Sequence, residues 1–229
     1  SRAVARSGVP SESFEITRDK KEDICSVHFL KSFEFRLKQK LIEGVWIGIT
    51  CASFTRARRG AADYSGYPPP LRGDGVEEIW GLNGLSLKDQ ERVKIGNRLA
   101  RRVIHILKLC KKHGVPIIIE NPLTSRLWIL PPLLALISSC TSDVTFDHCQ
   151  YGGDAKKPTR LIGWNIDLSR LALRCVQRNG LCSKTQKPHV QLSGIGPNKE
   201  FRTAGASAYP MPLCTAFASL LAGTLLQRT

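Results

Sequence analysis

The chain has 229 residues, a hydrophobic fraction of 42% and a formal net charge of +15. That length and apolar content suit one α/β-sized domain with a sizeable core, and no apolar stretch free of charge is long enough to make a membrane-spanning helix. Eight cysteines, neither dense nor regularly spaced, exclude a secreted disulfide scaffold and fit a reducing, intracellular compartment, nuclear if the source is eukaryotic. The excess of Lys and Arg favours a polyanionic partner, because clustered cations release counterions from nucleic-acid phosphates. The chain opens at Ser1 with no initiator methionine and no secretory leader, as a fragment or processed product would.

In chain order, residues 1–7 read as the end of a helix stopped by Gly8, and residues 13–17 as a short strand. Residues 28–43 carry apolar side chains at 29, 30, 33, 37 and 41, a helical spacing that Gly44 ends. Residues 45–50 form the next strand. The Gly- and Pro-rich stretch 60–84 is too long for a simple connector, as functional lids and disordered segments are. Ser86, with Asp89 three residues on, caps a long helix whose core stripe is Leu99, Val103, Ile106, Leu107 and Cys110. Arg98, Arg101, Arg102, Lys108, Lys111 and Lys112 form its solvated basic face. Residues 117–120, 143–146 and 161–164 read as strands, 131–138 and 213–226 as helices, and no internal repeat interrupts them. The alternation predicts an α/β fold built on a doubly wound sheet.

Two of the apolar runs end in reactive side chains. Residues 46–51 lead into Cys51, and residues 115–120 into Glu120. Neither run alternates, which suits parallel strands covered on both faces, and ligands of such sheets bind at the carboxyl ends of the strands. Cys51 and Glu120 are therefore expected in one pocket. Arg56, Arg58 and Arg59 give Cys51 positive surroundings that stabilise a thiolate. Pro122 stops the strand and leaves Glu120 at the ligand edge, where burial would raise its pKa and let it donate a proton near neutrality. An inert buried thiol and a turn-capping glutamate are the structural alternatives.

These residues carry a resemblance. Thr50-Cys-Ala-Ser-Phe-Thr-Arg-Ala-Arg58 resembles the Pro-Cys-x-x-Phe-Ser catalytic loop of cytosine-5 DNA methyltransferases, and Glu120-Asn-Pro122 their Glu-Asn-Val motif. Gln150-Tyr-Gly-Gly-Asp-Ala-Lys-Lys-Pro-Thr-Arg-Leu-Ile-Gly163 is similar to the family's Tyr-Gly-x-Pro-Gln-x-Arg-x-Arg stretch. Gly205-Ala-Ser-Ala-Tyr-Pro-Met-Pro-Leu213 is similar to the motif that begins the last helix beside the cofactor. The four follow the family's order over most of 45–226.

The resemblance implies a single methyltransferase-like catalytic domain over 1–229, with a Rossmann-like doubly wound sheet. It implies that Cys51 adds to ring carbon 6 of cytosine while Glu120 protonates ring nitrogen 3, with S-adenosylmethionine as methyl donor. The substrate would be DNA, or RNA as a variant, with the base flipped into the pocket and Arg56, Arg58 and Arg59 on the flanking phosphates. A solvated basic loop is the alternative for these three arginines. Where the family has an arginine pair, this chain reads Lys157-Pro-Thr-Arg160, leaving the cytosine carbonyl to Lys157, Thr159 or Arg160. Arg160 is taken as the catalytic member and Lys157 as a nucleic-acid contact. Glu15 would bind the ribose hydroxyls of the cofactor, Asp23 would lie near its adenine, and Ser207 belongs to the cofactor-side motif. Thr50 replaces the family's proline before the nucleophile, and Ala206 an asparagine. The family's first, central strand and its Gly-rich turn would precede Ser1, so the sheet is expected to lack that strand, through lost upstream residues or as a decayed copy.

Residues 173–201 occupy the place of the family's target-recognition segment and are short, predicting weak sequence discrimination with Lys184, Lys187 and Lys199 on the backbone. Cys175, Cys182 and His189 follow one another with six-residue gaps, and His148 or Cys149 could supply a fourth zinc ligand. Closely spaced Cys-x-x-Cys pairs are missing, so no metal is expected and the cysteines read as free thiols in a basic loop. The competing function is a catalytically silent nucleic-acid-binding remnant, such as a mobile element carries. A Cys-dependent hydrolase would need a histidine base that no motif supplies.

Overall fold

The structure, a computed structural model, describes residues 6, 8, 10–16, 18–50, 52–58, 68–192, 202 and 208–226, with the backbone alone at 225 and 226. Strand β1 (Val45–Gly48) is followed by β2 (Ile117–Pro122), β3 (Ser142–Asp147) and β4 (Pro158–Trp164), in the spatial order β1-β2-β4-β3. The three isoleucines of β2 are buried on both faces of the sheet, which accounts for the non-alternating run.

The sheet is mixed. Only β1 and β2 are parallel; β4 runs antiparallel to both β2 and β3. A uniformly parallel sheet fails at β3 and β4 because only residues 148–157 join them, holding one 3-10 turn at His148–Tyr151. Parallel neighbours need a longer crossover, usually a helix. β4 also starts three residues earlier than its apolar run, at Pro158, where the missing N–H costs the ladder little.

Helices cover both faces. Ile117, Ile119, Ile162 and Trp164 pack against α1 (Val27–Lys38), α2 (Leu87–Lys112) and α3 (Pro131–Ile137). Ile118, Phe146 and Leu161 pack against α4 (Met211–Leu226) through Leu213, Phe217 and Leu221. In α2 the Ser86 hydroxyl accepts from the Asp89 N–H at 3.2 Å and donates to its carboxylate, the expected cap. Val103, Ile106, Leu107 and Cys110 are buried as the stripe requires, with Leu99 half-buried at its margin. No helix among the described residues is long and apolar enough to cross a membrane.

Two local expectations are corrected. The helix expected over 28–43 ends at Lys38, because Lys40 adopts a left-handed φ of 56°. The Leu41 N–H bonds the Arg36 carbonyl and the Lys40 N–H that of Leu37, a Schellman stop built on lysine instead of the glycine at 44. Leu41 is consequently exposed. Residues 13–16 are not a strand: Phe14 packs edge-on against Phe29, and the Arg18 and Asp19 N–H groups both turn back to the Glu15 carbonyl. Thr17 lies outside the described residues.

Within the 60–84 stretch, residues 68–84 are packed into the fold, with Leu71, Arg72 and Ile79 buried and a 3-10 turn at Glu78–Trp80. Gly96 of α2 makes room for this packing. A Cβ there would lie 2.3 Å from the Ser53 Oγ and 2.8 Å from the Arg72 guanidinium.

Candidate functional site

The parallel register sets Gly48 at the end of β1 directly beside Glu120 near the end of β2. Glu120 is 6% exposed. Its Oε2 accepts a 2.6 Å hydrogen bond from the Tyr209 hydroxyl, which reaches across from two residues before α4. A Cβ on Gly48 would lie 2.5 Å from that hydroxyl and 3.3 Å from Oε2, so the absence of a side chain at 48 is what admits the contact. The Tyr209 ring is held edge-on by Trp46 of β1, and the His148 ring stacks against it at 6.3 Å. Burial raises the Glu120 carboxyl above its ordinary pKa; the Tyr209 bond and the charge of Lys157 pull the other way without cancelling it.

Lys157 is the cation that acts on this pocket, lowering the pKa of both Glu120 and His148. It holds a φ of 35°, a strained value for a residue with a side chain, in the turn entering β4. His148, 4% exposed and stacked on Phe146, is depressed to about 4, chiefly by burial and then by Lys157, with Asp147 opposing. Its Nε2 finds no partner among the described residues.

Arg160 is not brought to Glu120. It pairs across the sheet with Asn121, one residue beyond Glu120, and alternation therefore sends it to the opposite face. There it forms a two-point ion pair with Asp143 and lies over the Trp128 ring at 5.1 Å. Of the three candidates for the cytosine carbonyl, Lys157 is thus the one whose charge reaches the carboxyl. Thr159 is fully buried and donates to the Lys157 carbonyl.

Cys51, Arg59 and Ser207 lie outside the described residues. The chain on either side of Cys51 is anchored. The Asn121 side-chain amide donates to the Ile49 carbonyl at 3.0 Å, tying the end of β2 to the end of β1. Beyond Cys51, Arg72 donates to the Ser53 carbonyl and hydroxyl, to the Ile79 and Val93 carbonyls and to Asn97, and stacks 3.8 Å over Phe54. Among the described residues all its acceptors are neutral, and burial lowers its pKa to about 10. Nothing in a Gly- and Pro-rich stretch marks such a residue as an anchor. Tyr209, also unassigned from sequence, stood inside a quoted motif.

Arg56 donates to the Thr124 carbonyl and pairs with Asp74, which Arg126 also engages. Arg58 bonds the Pro69 carbonyl and Asp89 with its side chain only 13% exposed, so it fastens the loop to α2. Among the expected cofactor residues, Asp23 gives one oxygen to the Cys25 N–H and the other to Arg98 of α2. Glu15 is exposed and outside any strand. The described contacts bring neither to Glu120.

Cysteines expected as separate free thiols are brought together. The ligand atoms of Cys149, Cys175, Cys182 and His189 all lie within 4.8 Å of one another. His148, the other candidate fourth member, turns instead to the Tyr209 side.

Fold and site define a mixed α/β domain that presents a buried carboxyl group at the carboxyl end of an interior strand. No family model, curated protein or solved structure matches the chain.

Proposed function

We propose that the protein methylates carbon 5 of cytosine in nucleic acid, DNA in preference to RNA, with Cys51 as nucleophile, Glu120 as proton donor and S-adenosylmethionine as methyl source. The observation that carries this reading is the state of Glu120: a carboxyl with a raised pKa, opposite Gly48 in a parallel register, three residues upstream of Cys51 in the chain. The Tyr209 hydrogen bond occupies Oε2, leaving Oε1 to carry the proton toward ring nitrogen 3. Attack of the Cys51 thiolate on ring carbon 6 pushes electrons through the ring; protonation at nitrogen 3 neutralises them and leaves carbon 5 electron-rich. Lys157 would hold the cytosine carbonyl, and the net charge of +15 would favour the phosphate backbone.

Of the residues expected around the methyl donor, Asp23 bonds Arg98 and the Cys25 N–H, and Glu15 is exposed and outside any strand. This favours, as a second reading, a silent binding remnant. The two separate on one assay: transfer of labelled methyl from S-adenosylmethionine to a cytosine-containing duplex, with a duplex fully substituted by 5-methylcytosine as control. The enzyme labels only the first; a remnant retains both without labelling either.

A further inference from the structure

We propose that Cys149, Cys175, Cys182 and His189 bind one Zn²⁺ in a closed tetrahedral site. The four come from three places: Cys149 from the 3-10 turn after β3, Cys175 from the chain leaving a second 3-10 turn at Ser169–Leu171, and Cys182 and His189 from the loop beyond. Two of the distances among their ligand atoms match the edges of a metal tetrahedron, and all lie within 4.8 Å. With Zn–S about 2.3 Å and Zn–N about 2.1 Å, tetrahedral edges are about 3.8 Å for S···S and about 3.6 Å for S···N. The Cys175 and Cys182 sulfurs lie 3.8 Å apart, and the Cys175 sulfur lies 3.7 Å from the His189 Nε2. A disulfide would need about 2.05 Å.

Hydrogen-bond donors face all three sulfurs. Cys175 Sγ accepts from the Ser183 N–H and hydroxyl, both at 3.5 Å, and Cys182 Sγ from the Lys184 and Thr185 N–H groups. The Gln150 amide faces the Cys149 sulfur at 3.6 Å, and the buried Asp147 carboxylate fixes the Cys175 backbone N–H at 2.7 Å. Donors of this kind orient metal ligands and hold their charge. The three sulfurs are 1%, 6% and 1% exposed residues that form a cluster apart from both apolar cores. Around them Leu173, Val176 and Val190 are exposed, and residues 173–192 hold only isolated bridges at Arg178, Leu181 and Pro188. Apolar burial therefore does little to fix this segment; a metal would supply what the core does not.

Three thiolates and an imidazole in a tetrahedron select Zn²⁺ over hard cations, and four protein ligands leave no position for substrate, which makes the site structural. Its reach is longer than the loop. Cys149 adjoins His148, whose ring lies beside Tyr209, so the metal would pin a basic segment bearing Arg174, Arg178, Lys184 and Lys187 to the turn that backs the Glu120 pocket.

The test is the metal content of the complete protein, purified under reducing conditions without chelator and measured by multi-element mass spectrometry. One zinc per chain is expected, falling at least tenfold in Cys182→Ser and His189→Ala and unchanged in Cys214→Ser. Replacement by Co²⁺ in the wild type keeps the test valid if the variants do not fold: intense tetrahedral d–d bands with thiolate charge transfer are expected. Zinc well below one equivalent in folded wild-type protein, octahedral cobalt bands, or undiminished zinc in both ligand variants would overturn the assignment, as would a Cys175–Cys182 disulfide.

Discussion

The end of β2 and the loop over 173–192 both hold reactive side chains out of water, but by opposite means. Glu120 is fixed by a sheet register, a neighbouring glycine and one hydroxyl, all on elements with apolar faces to bury. Three of the four members of the cysteine–histidine cluster sit in a segment almost without regular structure, where side chains converge on one another and Leu173, Val176 and Val190 face solvent. Packing can hold a carboxyl in place when the strand that carries it is itself core. A loop with no core needs its ligands to hold it. The first region should therefore respond to loss of hydrogen-bond partners and stay indifferent to chelators; the second should do the reverse.

The largest effect is expected at Glu120. Glu120→Gln keeps the shape and the Tyr209 contact but has no proton to give, and methyl transfer should fall by about 10²–10⁴-fold with the fold retained. Its stability should also change with pH in a definite direction. Folding raises the carboxyl pKa above 4.5, so the associated stability is present below 4.5 and is lost as pH rises through the folded value. Relative to wild type, Glu120→Gln should thus gain Tm as pH rises above the ordinary carboxyl value of 4.5. A flat Tm difference would contradict the buried carboxyl.

Next is Arg72→Met, which leaves five neutral acceptors around Ser53, Ile79, Val93 and Asn97 without their donor. A loss of about 3 kcal/mol in urea unfolding is expected from groups left unsatisfied. Chelation should then separate the two regions: limited proteolysis between 173 and 192 should accelerate by about tenfold or more, with no new cleavage in β1 or β2. Tyr209→Phe removes one hydrogen bond from Glu120 and should slow methyl transfer by about tenfold, equivalent to about 1.4 kcal/mol. The smallest effect belongs to Arg160→Ala. It breaks a partly exposed ion pair on the far face of the sheet, so stability should fall by less than about 1 kcal/mol and activity by less than about threefold, whereas Lys157→Ala should cost activity more.

What the sequence makes legible follows from how local each signal is. The buried run Ile117–Pro122, the Ser86 cap and the core stripe of α2 depend on neighbouring residues, and each holds in the structure. The raised pKa of Glu120 follows from its position at the end of such a run. Register and face do not reduce to local pattern. Lys157 and Arg160 lie three residues apart in one motif, yet alternation along β4 sends Arg160 to the other side of the sheet. The antiparallel β4 depends on a connection too short for a crossover helix, and the end of α1 on a lysine in a glycine's conformation. Cys149, twenty-six residues before Cys175, joins the thiol cluster only through the turn after β3, and no Cys-x-x-Cys spacing announces it.

The proposed function requires Cys51 and Glu120 to act on one cytosine. Mass spectrometry of the complete protein, incubated with S-adenosylmethionine and an oligonucleotide containing 5-fluorocytosine, tests it most directly, because fluorine at carbon 5 prevents release of the enzyme. A stable covalent adduct is expected with wild-type protein, absent in Cys51→Ala and strongly diminished in Glu120→Gln. Folded wild-type protein that binds the oligonucleotide and forms no adduct would contradict the proposed function.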